Sequence, residues 1–123
     1  MILDTNAVSA FFDGDRLLKK IIASAPELCL PVIVLGEYNF GLINSRERKR
    51  IELALADFVL ECRVLPVDVE TVPPYAAIRS ELKSAGKPMP SNDVWIAALA
   101  IQHDLMLYAR DAHFDHLPQL PRI

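Results

Sequence analysis

Apolar residues along this chain fall into short unbroken runs alternating with longer stretches of helical spacing. Ile2-Leu3 predicts a short strand that runs straight into Asp4-Thr5-Asn6. After Asp13-Gly14-Asp15, the residues Leu17, Leu18, Ile21 and Ile22 recur at helical spacing, so the opening reads as strand, turn, helix. Leu28-Cys29-Leu30 predicts a second strand. Pro31 suits a helix start, and Val32 to Phe40 carry that helix to Gly41, which places Glu37 on it. Ser45 can cap the next helix, whose stripe of Ile51, Leu55, Phe58 and Cys62 lies opposite Arg48, Lys49 and Glu52. Arg63-Val64-Leu65 predicts a third strand.

Asp68 can cap a further helix that tolerates Pro73 and Pro74 in its first turn, buries Ala77, Ile78 and Leu82, and stops at Gly86. Lys87-Pro88-Met89-Pro90 must be extended. Ser91 or Asn92 caps a helix from Asp93 to about Gln102 that is apolar on nearly every side and therefore central. Leu105 to Tyr108 predicts a fourth strand, and Leu120 to Ile123 a weak edge strand. Strands separated by helices imply an α/β domain spanning residues 1–123, with a short parallel sheet covered on both faces, because parallel neighbours need crossover connections.

On that framework the positions of four acids become informative. Asp4, Glu37, Asp93 and Asp111 each sit at the edge or in the interior of an apolar stretch. An unpaired ion moved into a protein interior costs several kcal/mol, so these carboxylates should share a solvated, charged feature. Asp4 and Asp111 follow strand ends, where open parallel sheets place their ligand crevice, and Asp93 falls in the first turn of a helix. Carboxylates gathered there would repel one another, whereas a divalent cation favours their ionised forms. Oxygen-only ligands suit Mg²⁺ or Mn²⁺, and no Cys or His pattern argues for zinc. Such a centre can attack a phosphodiester.

Composition adds a partner and removes several classes. An apolar share of 52% is high for a small monomer and implies apolar surface covered by another chain. No apolar run is long enough to span a bilayer and no leader segment is evident, so the expected location is the cytoplasm. Cys29 and Cys62 read as reduced core residues. A net charge of −3 sits awkwardly with polyanion binding unless a cation neutralises the acid cluster.

Each acid also has a plainer reading. Asp4 can cap the following turn, Asp93 can complement a helix dipole, Asp111 can start an Asx turn, and Glu37 can pair with Arg110. Asn6 suits a helix cap, and Arg46, Arg48, Lys49 and Arg50 read as a solvated face with RNA contact as the other option. His103, His113 and His116 share no spacing, so surface or packing roles fit them best. A haloacid-dehalogenase-like phosphatase would need a second Asp where Asn6 stands, and a response-regulator receiver would need paired acids and a late Lys. A noncatalytic interaction module remains as an alternative.

Leu3-Asp4-Thr5-Asn6, Gly36-Glu37-Tyr38-Asn39-Phe40-Gly41, Asn92-Asp93-Val94-Trp95-Ile96-Ala97-Ala98 and Arg110-Asp111-Ala112-His113-Phe114 together resemble the ordered signatures of PIN-domain nucleases. Within that family the likeness is to the compact VapC-type toxins of toxin–antitoxin pairs, and it covers nearly the whole chain. The resemblance implies a three-layer α/β/α PIN-like fold and Mg²⁺- or Mn²⁺-dependent endoribonuclease activity, inside or outside a toxin–antitoxin pair. It implies that Asp4 and Asp93 hold metal most directly, while Glu37 and Asp111 complete the cluster and position water. It further implies a homodimer, an RNA substrate and a cognate antitoxin that inserts a segment near the active site. One departure is Ala109, where the family often carries Thr or Ser, and it leaves Asp115 as a substitute for Asp111 as fourth acid.

Overall fold

The computed structural model describes residues 1–123. Its four strands are β1 (Ile2–Leu3), β2 (Cys29–Pro31), β3 (Arg63–Leu65) and β4 (Leu107–Tyr108), all parallel, in the order β3-β2-β1-β4. Six helices connect them: α1 (Thr5–Phe12), α2 (Arg16–Ser24), α3 (Val32–Leu42), α4 (Arg48–Leu60), α5 (Val72–Ala85) and α6 (Ser91–His103). Strands this short gain little from their own ladder, and their stability comes from burial on both faces. Ile2, Leu3, Cys29, Leu30 and Leu107 have no exposed surface.

Handedness distributes the helices. The chain moves in one direction from β1 to β2 to β3, so right-handed crossovers set α1 to α4 on one face. It then reverses past β1 to reach β4, which sends α5 and α6 to the other face and produces the three layers. The aromatic cluster of Phe11, Phe12, Tyr38 and Phe58 ties α1, α3 and α4 together. On the opposite side α6 is the central helix, with Val94 and Ile96 through Ala100 buried and α5 its main neighbour.

The pattern read from sequence holds in most places and slips in a few. The turn expected after β1 is helix α1: Asp4 Oδ1 accepts the N–H of Ala7 and starts it, while Ala7, Val8, Phe11 and Phe12 supply its inward face. Gly14 then adopts φ +88°, and Asp15 caps α2 through Leu18 N–H. Asp68 caps a single 3-10 turn, Val69–Thr71, before α5 begins at Val72. Ala77 proves exposed, and Ile78 and Leu82 carry the buried face of α5. Gly86 ends α5 in the left-handed region, as expected. Pro90, rather than Ser91 or Asn92, holds the cap position of α6, so Asp93 is its third residue. The edge strand at the C-terminus shrinks to one bridge between Leu107 and Arg122. Neither cysteine is bonded; Cys29 is buried and Cys62 half-buried.

Candidate active site

The reversal of strand order between β1 and β4 creates a crevice beyond their carboxyl ends, where the connections depart in opposite directions. A cleft of about 500 Å³ opens there. Asp4, Glu37, Asp93 and Asp111 all line it, together with Thr5, Asn6, Ser91, Asn92 and His113, and no hydrophobic residue does. Asp4 arrives directly from β1, Asp111 three residues after the end of β4, Glu37 from the middle of α3 and Asp93 from the first turn of α6. Four remote stretches of chain therefore meet at one point.

Local hydrogen bonds hold an oxygen of each carboxylate. Asp4 Oδ1 accepts Ala7 N–H at 2.8 Å, and Asp111 Oδ1 accepts His113 N–H at 2.9 Å. The Thr5 hydroxyl donates to Glu37 Oε1 at 3.0 Å, joining α1 to α3. His113 Nδ1 stands 3.0 Å from Asp93 Oδ2 and 2.9 Å from Asp111 Oδ1. The capping roles allowed for Asp4 and Asp111 are thus real, and they fix the same carboxylates that face the cleft.

The electrostatics are those of an acid cluster short of positive charge. Burial leaves Asp4 only 3% exposed and pushes its carboxyl up to about 6, with repulsion from Asp111 and Asp93 adding to the effect and N–H donors of the chain opposing it. Asp93 is raised chiefly by burial and by its acidic neighbours, against the lowering contact with His113. Asp93, Asp111 and His113 bring ligand atoms within 4.8 Å of one another. The imidazole Nδ1 lies between two carboxylates, and a set dominated by carboxylate oxygens suits a hard divalent ion. Asp4 and Glu37 border this tight trio from the same cleft.

Several readings are corrected. Glu37 does not pair with Arg110, which instead binds Asp15 at 2.9 Å and links the loop after β4 to the start of α2. Asp115 lies outside the cleft, exposed and paired with Arg122, so it is no substitute for Asp111. Ala109 is buried and its carbonyl accepts from Arg122, and it does not line the cleft. In the basic cluster, Arg48 and Arg50 are engaged locally with Glu52 and Glu47. His113, read from the sequence as a surface or packing residue, lines the cleft. Its signal was the Asx geometry available to Asp111, which turns the residue two places on back toward the carboxylate.

Comparison with known proteins agrees with this geometry. The sequence profile of the PIN domain matches residues 1–120. The VapC ribonuclease Y4jK of Sinorhizobium fredii is 35% identical, in an alignment covering 90% of this chain and 86% of that one. The crystal structure of VapBC-5 from Mycobacterium tuberculosis, a member of the VapBC family of toxin-antitoxin systems, is similar with a TM-score of 0.76 at 26% identity, covering 99% of this chain and 94% of that one. VapBC2 from Rickettsia felis, bound to a DNA fragment from their promoter, shares the fold with a TM-score of 0.87 at 23% identity, covering 99% and 96%. With its switch-point crevice, its four converging acids and a profile match over nearly its full length, this chain belongs to the PIN-domain family.

Proposed function

We propose that this protein is a metal-dependent endoribonuclease that hydrolyses RNA phosphodiester bonds and serves as the toxin of a toxin–antitoxin pair. The observation that carries the proposal is the convergence of Asp4, Glu37, Asp93 and Asp111 in one polar cleft, supported by kinship with a VapC ribonuclease. Asp93 and Asp111, with Asp4 beside them, would hold Mg²⁺, or Mn²⁺ as a substitute. When bound, the ion supplies charge neutralisation and Lewis acidity at the scissile phosphate and lowers the pKa of attacking water.

The chain's own groups do the remaining work. Glu37, anchored by Thr5, orients the attacking water and accepts its proton, while Asp111 is held in place by His113 N–H. The new bond forms between the water oxygen and phosphorus as the bond to the 3′ oxygen breaks, the leaving 3′ oxygen takes a proton from solvent water in the open polar cleft, and the products are a 5′-phosphate and a 3′-hydroxyl. Asn6 and Asn92 offer neutral amide donors at the rim, where they add no charge against the backbone. An RNA substrate and unbonded cysteines both suit a cytoplasmic location. A cleavage assay on mixed RNA with Mg²⁺, with Mn²⁺ and with EDTA tests the proposal, and loss of all cutting in EDTA is the expected result.

His113 positions Asp93 and Asp111 in this account. Replacing it by Ala should weaken metal binding and cleavage by about 10–100-fold while leaving the fold intact, since its side chain is 43% exposed. Calorimetric titration with Mn²⁺ reads the affinity apart from turnover, and unchanged affinity would remove His113 from the site.

Partner binding rests on apolar surface left uncovered by the core. Val34 and Leu55 are buried, but Phe40 on α3 and Leu53 and Leu60 on α4 are 78%, 72% and 86% exposed. The homodimer and the antitoxin would cover such residues. Light scattering should therefore give a multiple of the 13.8 kDa chain mass. A monomer at micromolar concentration that binds no antitoxin would contradict this part.

A further inference from the structure

Beyond the acid cleft, a second cleft of about 620 Å³ runs along α5 and the connector that follows it. Arg79, Lys83 and Lys87 line it, no carboxylate does, and Leu82 and Met89 form its apolar floor. None of the three has a salt bridge; Arg16, Lys19, Lys20, Arg46 and Lys49 are likewise unpaired, but of these eight cations only Arg79, Lys83 and Lys87 line either cleft. The acid on the same helix, Glu81, is engaged elsewhere by Gln119 at 2.6 Å. Positive charge is thus concentrated in one concave place on a chain whose net charge is −3.

This cleft leads to the acids. Arg79 Nη1 reaches Ser91 Oγ at 3.5 Å, and Ser91 lines the acid cleft. The two clefts are also consecutive along the chain, because Met89 lines the second and Pro90 and Ser91 the first. Arg79 packs 5.9 Å from the centroid of the Tyr75 ring, which stacks on Trp95 at 3.6 Å, so the guanidinium is braced at the junction. Arg79 and Lys83 are one helical turn apart, a rise of about 6 Å that suits successive phosphates of an extended strand.

We propose that Arg79, Lys83 and Lys87 form a backbone-binding track that seats the single-stranded RNA flanking the scissile phosphate. This inference rests on the ribonuclease reading and supplies what the acid cleft lacks. The acids repel a polyanion, and the adjoining cations retain it by displacing counterions from about three phosphates. The track contacts backbone and not base edges, so it contributes affinity across sequences without choosing among them.

The test compares three proteins, each carrying Asp93→Asn so that binding is read without cutting: the parent, the triple variant Arg79→Ala/Lys83→Ala/Lys87→Ala, and the control triple Lys19→Ala/Lys20→Ala/Lys49→Ala, which removes equal charge elsewhere. Anisotropy of a fluorescent single-stranded RNA across a salt series should show affinity lowered by about 10–100-fold in the first triple, and a slope against log salt reduced by about 2. The control should follow the parent. With Asp93 intact, the first triple should raise KM for RNA and leave hydrolysis of bis(p-nitrophenyl) phosphate, which is too small to reach the track, unchanged. Equal loss in both triples, an unchanged salt slope, or reduced antitoxin binding with RNA affinity intact would each overturn the track. Wild-type protein that cuts no RNA would overturn the ribonuclease reading instead, and the binding series would still decide the track.

Discussion

Asp4→Asn and Asp93→Asn are each expected to leave a folded protein whose metal-dependent RNA cleavage has fallen by at least about 10²–10³-fold. At Asp4 the amide retains an oxygen in the place of Oδ1, so it can still accept Ala7 N–H and start α1, and asparagine is among the best capping residues. At Asp93 the substitution removes a charge that burial and its neighbours already disfavour. What both variants lose is charge presented to a cation and, through it, to the phosphate. Circular dichroism and melting should match wild type or improve on it, while cleavage of mixed RNA disappears. Full activity in either variant would show that the carboxylate is structural.

The second large effect is on stability. Burial raises the Asp4 carboxyl from 3.8 to about 6, so the folded protein holds a proton that the unfolded chain releases earlier. Its contribution is therefore fully present below about pH 4 and is lost as pH rises through 6. With no metal bound, ionised Asp4 should cost roughly 1–3 kcal/mol at pH 7.5, and Asp93 acts in the same direction. Asp4→Asn should then raise the melting temperature at pH 7.5 by several degrees and make little difference at pH 4, where the wild-type carboxyl is protonated. Comparing the two proteins cancels the opposite pH dependence of groups such as Asp15, whose carboxyl Arg110 holds low. Added Mg²⁺ or Mn²⁺ should stabilise wild type at pH 7.5, about 2.7 kcal/mol at a hundredfold excess over Kd, and the variant far less. A difference between the proteins that does not vary with pH would contradict this origin of the strain.

These effects were partly legible in the chain itself. The strands, the central helix α6 and the stop at Gly86 follow from apolar runs and one left-handed residue, which are local signals. Helix α1 was equally local, since Ala7, Val8, Phe11 and Phe12 repeat at helical spacing, but the polar Thr5-Asn6 pair reads as a turn, so the capping role open to Asp4 was given to a turn and not to a helix. The four acids were visible because charge beside apolar residues demands an explanation, and the sheet's switch point supplied a place for them to meet. Arg110 and the His113–Asp93 contact were not assignable, for a different reason. Asp15 and Asp93 lie far from them in sequence and are set by which loops the β1 and β4 ends share, whereas the nearness of His113 to Asp111 is local. The basic track shows the same limit. Arg79, Lys83 and Lys87 recur every fourth residue, which any solvated helix face also does, and only the cleft beside Ser91 distinguishes them.

If water activated in the acid cleft is the nucleophile, the ends of the RNA fragments must carry its mark. Purified wild-type protein incubated with single-stranded RNA in Mg²⁺ should yield fragments bearing 5′-phosphate and 3′-hydroxyl ends, with no cutting in EDTA and none by Asp93→Asn. Fragments ending in 2′,3′-cyclic phosphate, or cutting that persists in EDTA, would mean that the RNA's own 2′-hydroxyl is the nucleophile and that the four carboxylates do not perform the reaction assigned to them.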